Sequence, residues 1–153
     1  VGAHRIRPAR PGEEEALSRL CLKSKAYWGY DAAFIAAVSP YLKVTDTAIA
    51  AGHVTVAEAG DGTLLGVCQI DPDGGGGTLE LLFIAPDAIG SGIGRALFDH
   101  AAGQLRALGH TAMTILADPY SEQAYLHMGA RRVEMRPSDV FEGRELPWLE
   151  VAL

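Results

Sequence analysis

Between Ile84 and Arg95 the chain reads Ile-Ala-Pro-Asp-Ala-Ile-Gly-Ser-Gly-Ile-Gly-Arg, with glycines alternating at Gly90, Gly92 and Gly94. Glycines so spaced let successive backbone N–H groups point into one concavity without a Cβ in the way. A helix is predicted from Ser91 to Leu108, because Ile93, Ala96, Leu97, Ala101 and Leu105 recur at helical spacing. Its positive end and the ring of amides together suit a pyrophosphate. Two other phosphate motifs fail on named residues. The dinucleotide fingerprint needs a further glycine where Arg95 stands, and a βαβ half ahead of it that is missing here. A nucleotide-triphosphate loop ends in Gly-Lys-Ser/Thr, which the turn lacks.

Two other places carry chemistry. Glu80 is the only acidic residue in a predicted strand, Thr78 to Ile84, and strict alternation puts it on one face with Leu82 and Ile84. A carboxylate among leucines is desolvated, which raises its pKa toward the range of a general base. The segment Ser24 to Tyr30 packs Tyr27, Trp28 and Tyr30 around Gly29 beside Lys25, more aromatic surface than a small chain buries completely. His53, His100, His110 and His127 have no partner spacing and read as surface or packing residues.

The elements that must position these residues follow from pattern and punctuation. A first strand covers Ile6 to Pro8, and Glu13, Glu14 and Glu15 then favour the start of a helix with Leu17, Leu20 and Cys21 on its apolar stripe. Asp31 caps a second helix that Pro40 stops. From His53 the period becomes strand-like, and Gly60-Asp61-Gly62 reads as a hairpin turn leading to Leu64 through Ile70. Asp71 to Gly77 reads as a loop tip. After the long helix come a strand from Ala112 to Ala117, a short helix from Ser121 to Met128, and strands Arg131 to Met135 and Leu146 to Val151. This order predicts an α+β chain in one domain over 1–153, with a single mixed, mostly antiparallel sheet flanked by helices on both faces.

Bulk properties narrow the partners. The chain has 153 residues, 48% hydrophobic and 21% charged, the balance of a globular protein. Its formal charge of -6 argues against a nonspecific hold on nucleic acid or an anionic membrane. Cys21 and Cys68 read as separate buried thiols, and no Cys/His group has metal-ligand spacing, so no metal is expected. The sequence passes from Arg5 straight to Ile6 without an apolar leader, and no apolar run is long enough to span a bilayer; the expected location is the cytoplasm.

The strand, Pro86, glycine turn and helix resemble the coenzyme-binding motif of the GCN5-related N-acetyltransferase (GNAT) superfamily, and the element order matches that fold. The resemblance implies acetyl-coenzyme A as acyl donor. Its pyrophosphate would lie on Gly90, Ser91, Gly92, Ile93 and Gly94, with Arg95 at the helix start. Ile89 holds the place where the family usually has Arg or Gln, which removes a side chain and keeps the backbone donors. The strand carrying Leu82, Phe83 and Ile84 resembles the one that pairs with the pantetheine arm, and amides near Phe83 and Ile84 would polarise the thioester carbonyl. Ala117 to Ala130 resembles the family's second signature: Tyr125 matches the tyrosine that protonates the departing thiolate, and Tyr120, standing where asparagine is common, would lie at the coenzyme. Some members place the base carboxylate where Thr78 stands, and Trp28 and Tyr30 would overhang the acceptor groove.

The expected activity is acetyl transfer to a primary amine, a small molecule or a peptide N-terminus, by direct attack in a ternary complex. Glu80 would act as base and Tyr125 as acid. The alternative is a noncatalytic coenzyme A-binding or sensor module of the same fold. Dimerisation is compatible with the resemblance, and the acceptor's identity is not encoded in any motif.

Overall fold

In the computed structural model a seven-stranded sheet runs in the order β1-β2-β3-β4-β5-β7-β6. Strands β1 (His4–Pro8), β2 (Val54–Ala59), β3 (Leu64–Asp71) and β4 (Thr78–Ile84) form an antiparallel run. Strand β5 (Ala112–Leu116) lies parallel to β4, and β7 (Glu145–Ala152) is inserted antiparallel between β5 and the edge strand β6 (Arg131–Pro137). The structure describes residues 3–73 and 76–153. Val1, Gly2 and the Gly74–Gly75 portion of the expected loop tip lie outside the described residues.

Helices cover both faces, as the sequence order predicts. On one face α1 (Glu14–Ala26), α2 (Ala32–Val38) and α3 (Asp46–Ala50) bury Leu17, Cys21, Val38 and Ile49 against Val54, Val56, Val67 and Leu81. On the other, α4 (Ile93–Ala107) and α5 (Glu122–His127) pack Ile93, Leu97, Leu105 and Tyr125 against Cys68, Leu79, Met113 and Leu149. Fully burying a leucine or isoleucine of this kind contributes about 1.5–3 kcal/mol. Asp31 caps α2 as expected, accepting from the Phe34 N–H at 2.8 Å. Helix α3 was not anticipated; Thr45 starts it by accepting from the Ala48 N–H at 3.2 Å.

Two features of the sheet place the site. Gly66 on β3 lets α4 come close: a Cβ there would meet Leu97 at 2.9 Å and Ile93 at 3.0 Å. The start of α4 is thereby held over the middle of the sheet. Strands β4 and β5, in turn, share a single register pair, Thr78 with Thr114, whose hydroxyls are 3.0 Å apart. Among the described residues no further pair joins these strands. Toward Ile84 and Leu116 no register pair joins them.

The cysteines follow the expectation. Cys21 and Cys68 are free, buried in different apolar clusters, and desolvation pushes both thiols up to about 12. Among the described residues, no group of three or more His, Cys, Asp or Glu side chains could hold a metal ion. No helix among them is long and apolar enough to cross a membrane.

Candidate active site

Beyond β4 the chain makes one 3₁₀ turn, Pro86–Ala88, and then the glycine turn. Gly90 and Gly92 have φ of +83° and +87°, a region that side chains with a Cβ rarely adopt. A Cβ on either would meet nothing within 4 Å, so backbone conformation selects glycine here and the space above stays open. Ser91 ties the turn down, its hydroxyl and N–H both donating to the Ala88 carbonyl. The first helix-closing bond runs from Ala96 N to Gly92 O at 3.0 Å, so the N–H groups of Ile93, Gly94 and Arg95 precede it and are unspent within the helix. Unspent N–H groups at a helix start suit an anionic group.

Side chains contribute less to the turn than backbone does. Ile93 is fully buried and Ile89 is exposed. The Arg95 Nε donates to Asp99 Oδ2 at 3.1 Å along the outer face of α4.

Glu80 departs from the expectation in its face and its surroundings. Gln69 pairs with Leu81 and Ile70 with Leu79, so Glu80 is an extra residue, a β-bulge, in β4. The bulge breaks the alternation: Leu79, Leu82 and Ile84 face the α4 side, and Leu81 and Phe83 the α1 side. Glu80 is exposed rather than desolvated among leucines, and its Oε2 accepts from Gln69 Nε2 at 2.9 Å. Past the bulge, Leu82, Phe83 and Ile84 have no register partner among the described residues of β5 and are only partly buried.

Tyr125 sits on α5 in the cluster under α4, its ring 6.1 Å from that of Phe98. Burial first, then the Cys68 and Asp118 charges, push its phenol above the ordinary tyrosine range. The helix carrying it is fixed from outside. Arg132 of β6 forks onto Glu122 in the first turn of α5, with two bonds of 2.6 Å, and holds that carboxyl below its usual range. Arg131 pairs with Glu150 at 3.0 Å.

The aromatic segment leads to a network that motif reading did not anticipate. Trp28 stacks on Tyr120, with centroids 5.8 Å apart and planes at 10°, and Tyr30 meets Tyr120 edge-on at 5.5 Å. Tyr120, expected at the coenzyme, is therefore in direct contact with the two residues expected at the acceptor. Beneath them lies Asp118. Its carboxylate accepts from Lys25 Nζ, from the Tyr30 hydroxyl at 2.8 Å and from the Tyr120 N–H at 2.8 Å, and Arg144 lies 3.6 Å away. Burial opposes ionisation of Asp118, but the Lys25 hydrogen bond and charge, with the Tyr120 and Tyr30 donors, outweigh it and hold the carboxyl below its ordinary range. Tyr30 is pushed up, by burial and then by its bond to Asp118. Nothing periodic could reveal this: Lys25 and Asp118 are 93 residues apart, and Arg144 and Tyr30, bonded at 2.9 Å, are 114 apart.

A stability prediction arises here. A carboxyl depressed in the folded state stabilises the fold above its unfolded pKa, and that contribution is lost as pH falls through the folded value. Asp118→Asn is expected to lower stability at neutral pH by about 2–3 kcal/mol, because Lys25 and Arg144 lose their shared counter-charge. Urea unfolding at pH 7 and below pH ~4 checks this, since the difference between the two proteins should shrink on acidification.

Comparison with known proteins places this geometry. A family model described as an acetyltransferase (GNAT) domain matches residues 12–145. A GCN5-related N-acetyltransferase structure from Rhodopseudomonas palustris is similar at a TM-score of 0.80 and 17% identity, with 99% of this chain and 97% of that one covered. The PaiA N-acetyltransferase of Thermoplasma acidophilum, solved in complex with coenzyme A, gives 0.80 at 16% identity, covering 99% and 100%. N-acetylglutamate synthase of Neisseria gonorrhoeae, complexed with coenzyme A and N-acetyl-glutamate, gives 0.69 at 16% identity over all of this chain and 36% of that one. No curated protein sequence matches the chain. At such identities the structural likeness speaks for the fold.

Proposed function

This chain belongs to the GNAT acetyltransferase family, and on that footing we propose that it transfers an acetyl group from acetyl-coenzyme A to a primary amine by direct attack in a ternary complex. The observation that carries the reading is the open ring of N–H groups at the start of α4, following a strand, β4, that shares only one register pair with β5 among the described residues. Gly90, Ser91, Gly92, Ile93 and Gly94 would hold the pyrophosphate through backbone donors, with Arg95 completing the helix terminus. The end of β4 at Leu82, Phe83 and Ile84 would offer backbone groups to the pantetheine arm.

When bound, acetyl-coenzyme A supplies a thioester carbonyl; the amine nitrogen forms a bond to its carbon, and the carbon–sulfur bond breaks to release the thiol. The chain must move protons around that exchange. An ammonium loses one proton before attack and the nitrogen a second one afterwards; the departing thiolate takes up one, so one proton is released in total. Glu80, exposed on its bulge, would accept a proton at its carboxylate, directly or through water. Tyr125, with its phenol held protonated, donates to the thiolate. Amides near Phe83 and Ile84 would stabilise the oxyanion.

Titration calorimetry with acetyl-coenzyme A, followed by a thiol-release assay over an amine panel, tests the proposal. Micromolar binding with amine-dependent thiol release is expected, and absence of binding would remove its basis. Glu80→Gln should lower kcat/KM by about tenfold, less than the usual loss of a general base because water can relay the proton. One observation favours the noncatalytic alternative: Tyr125 is buried and has no hydrogen-bond partner among the described residues. That reading predicts binding without thiol release.

A further inference from the structure

The network around Asp118 holds more positive than negative charge. Lys25 and Arg144, with side chains 12% and 23% exposed, share one carboxylate in a chain whose formal charge is -6. That carboxylate is already occupied on both oxygens, by Lys25 and Tyr30 on Oδ2 and the Tyr120 N–H on Oδ1. The guanidinium of Arg144 spends only Nη2, on Tyr30 and Asp118. Its Nε and Nη1 have no partner among the described residues. Its carbon lies 4.9 Å from the Phe34 ring centre and 5.5 Å from that of Tyr30, and Phe34 is itself stacked on Phe141 at 4.8 Å. The planar cation is thus held by aromatic faces, with unspent in-plane donors of the kind that grip a carboxylate in a fork. Next to it, Trp28 and Tyr120 are 39% and 56% exposed and present an apolar wall.

We infer that the acceptor carries a carboxylate as well as its amine: the substrate class is a free amino acid with an apolar side chain, its carboxylate on Arg144 and Lys25 and its side chain against Trp28 and Tyr120. A polycationic amine meets a surplus positive charge in this site and is disfavoured by it. This inference rests on the acetyl-transfer reading above.

The test compares a panel of apolar L-amino acids, phenylalanine and leucine among them, with their C-terminal amides and with spermidine. The amide keeps size and shape, removes the carboxylate, and has the less basic amine, so a preference for the acid cannot come from amine basicity. The expected result is a kcat/KM about tenfold or more higher for the acid than for its amide. The ratio should fall toward one in Arg144→Gln and be partly kept in Arg144→Lys, with acetyl-coenzyme A binding unaltered in both. Turnover of amides or spermidine as fast as of the acids overturns the inference and leaves the acetyl-transfer reading standing. An acid preference indifferent to Arg144→Gln does the same, and acetyl-coenzyme A binding with no thiol release with any of these amines overturns the inference and favours the noncatalytic reading. Absence of acetyl-coenzyme A binding overturns both.

Discussion

Gly94→Glu is expected to weaken acetyl-coenzyme A binding by on the order of 100-fold while leaving the fold at least as stable as before. The two effects separate because of where Gly94 sits. It is the second residue of α4, in helical conformation, and an added Cβ meets only the Ile84 side chain, at 3.7 and 3.8 Å. Replacing a helical glycine gains about 0.5–1 kcal/mol, and a carboxylate in the first turn is favoured by the helix dipole. The same carboxylate projects from the ring of amides assigned to the pyrophosphate, and repulsion between the anions costs several kcal/mol. Gly92 would serve less well, since its φ of +87° strains any other residue. Calorimetry and thermal unfolding of the one variant read both effects. Undiminished affinity would place the pyrophosphate elsewhere.

Tyr125→Phe is expected to lower kcat by about 100-fold, the ordinary scale for losing a positioned general acid. Acetyl-coenzyme A affinity and melting temperature should stay near those of the parent. The ring is buried against Phe98, and phenylalanine keeps that packing. The hydroxyl has no hydrogen-bond partner among the described residues, so its removal strands no donor or acceptor. Because burial holds the phenol protonated well above neutrality, the acid is present across the working range and the loss should be equally deep from pH 6 to 9. Single-turnover measurements separate this step from product release. An unchanged kcat would remove Tyr125 from the reaction.

Much of the architecture was legible because it is written in local signals. The glycine turn, the Asp31 cap, the Gly60–Gly62 hairpin and the helical stripe from Ile93 to Leu105 each involve neighbours within a turn or two of chain. What stayed hidden depends on register or on distant partners. Alternation cannot detect an inserted residue, so the bulge moved Glu80 away from the face it was assigned. The insertion of β7 between β5 and β6 leaves no trace in the order of the strands. The Asp118 network joins α1, the end of β5 and the loop before β7; only folding brings these together. Lys25 beside the aromatic run was its one local sign.

The single Thr78–Thr114 pair has a mechanical consequence. Ladder hydrogen bonds are directional and resist shear, whereas apolar contacts tolerate sliding. Among the described residues, polar bonds join β4 and β5 only around Thr78 and Thr114, where the Thr114 N–H and hydroxyl also reach the Gly77 carbonyl; beyond them the strands share the apolar cluster of Leu79, Met113 and Ile115 beneath α4. A change in the spacing of the two halves of the sheet toward Ile84 and Leu116 therefore breaks no ladder bond.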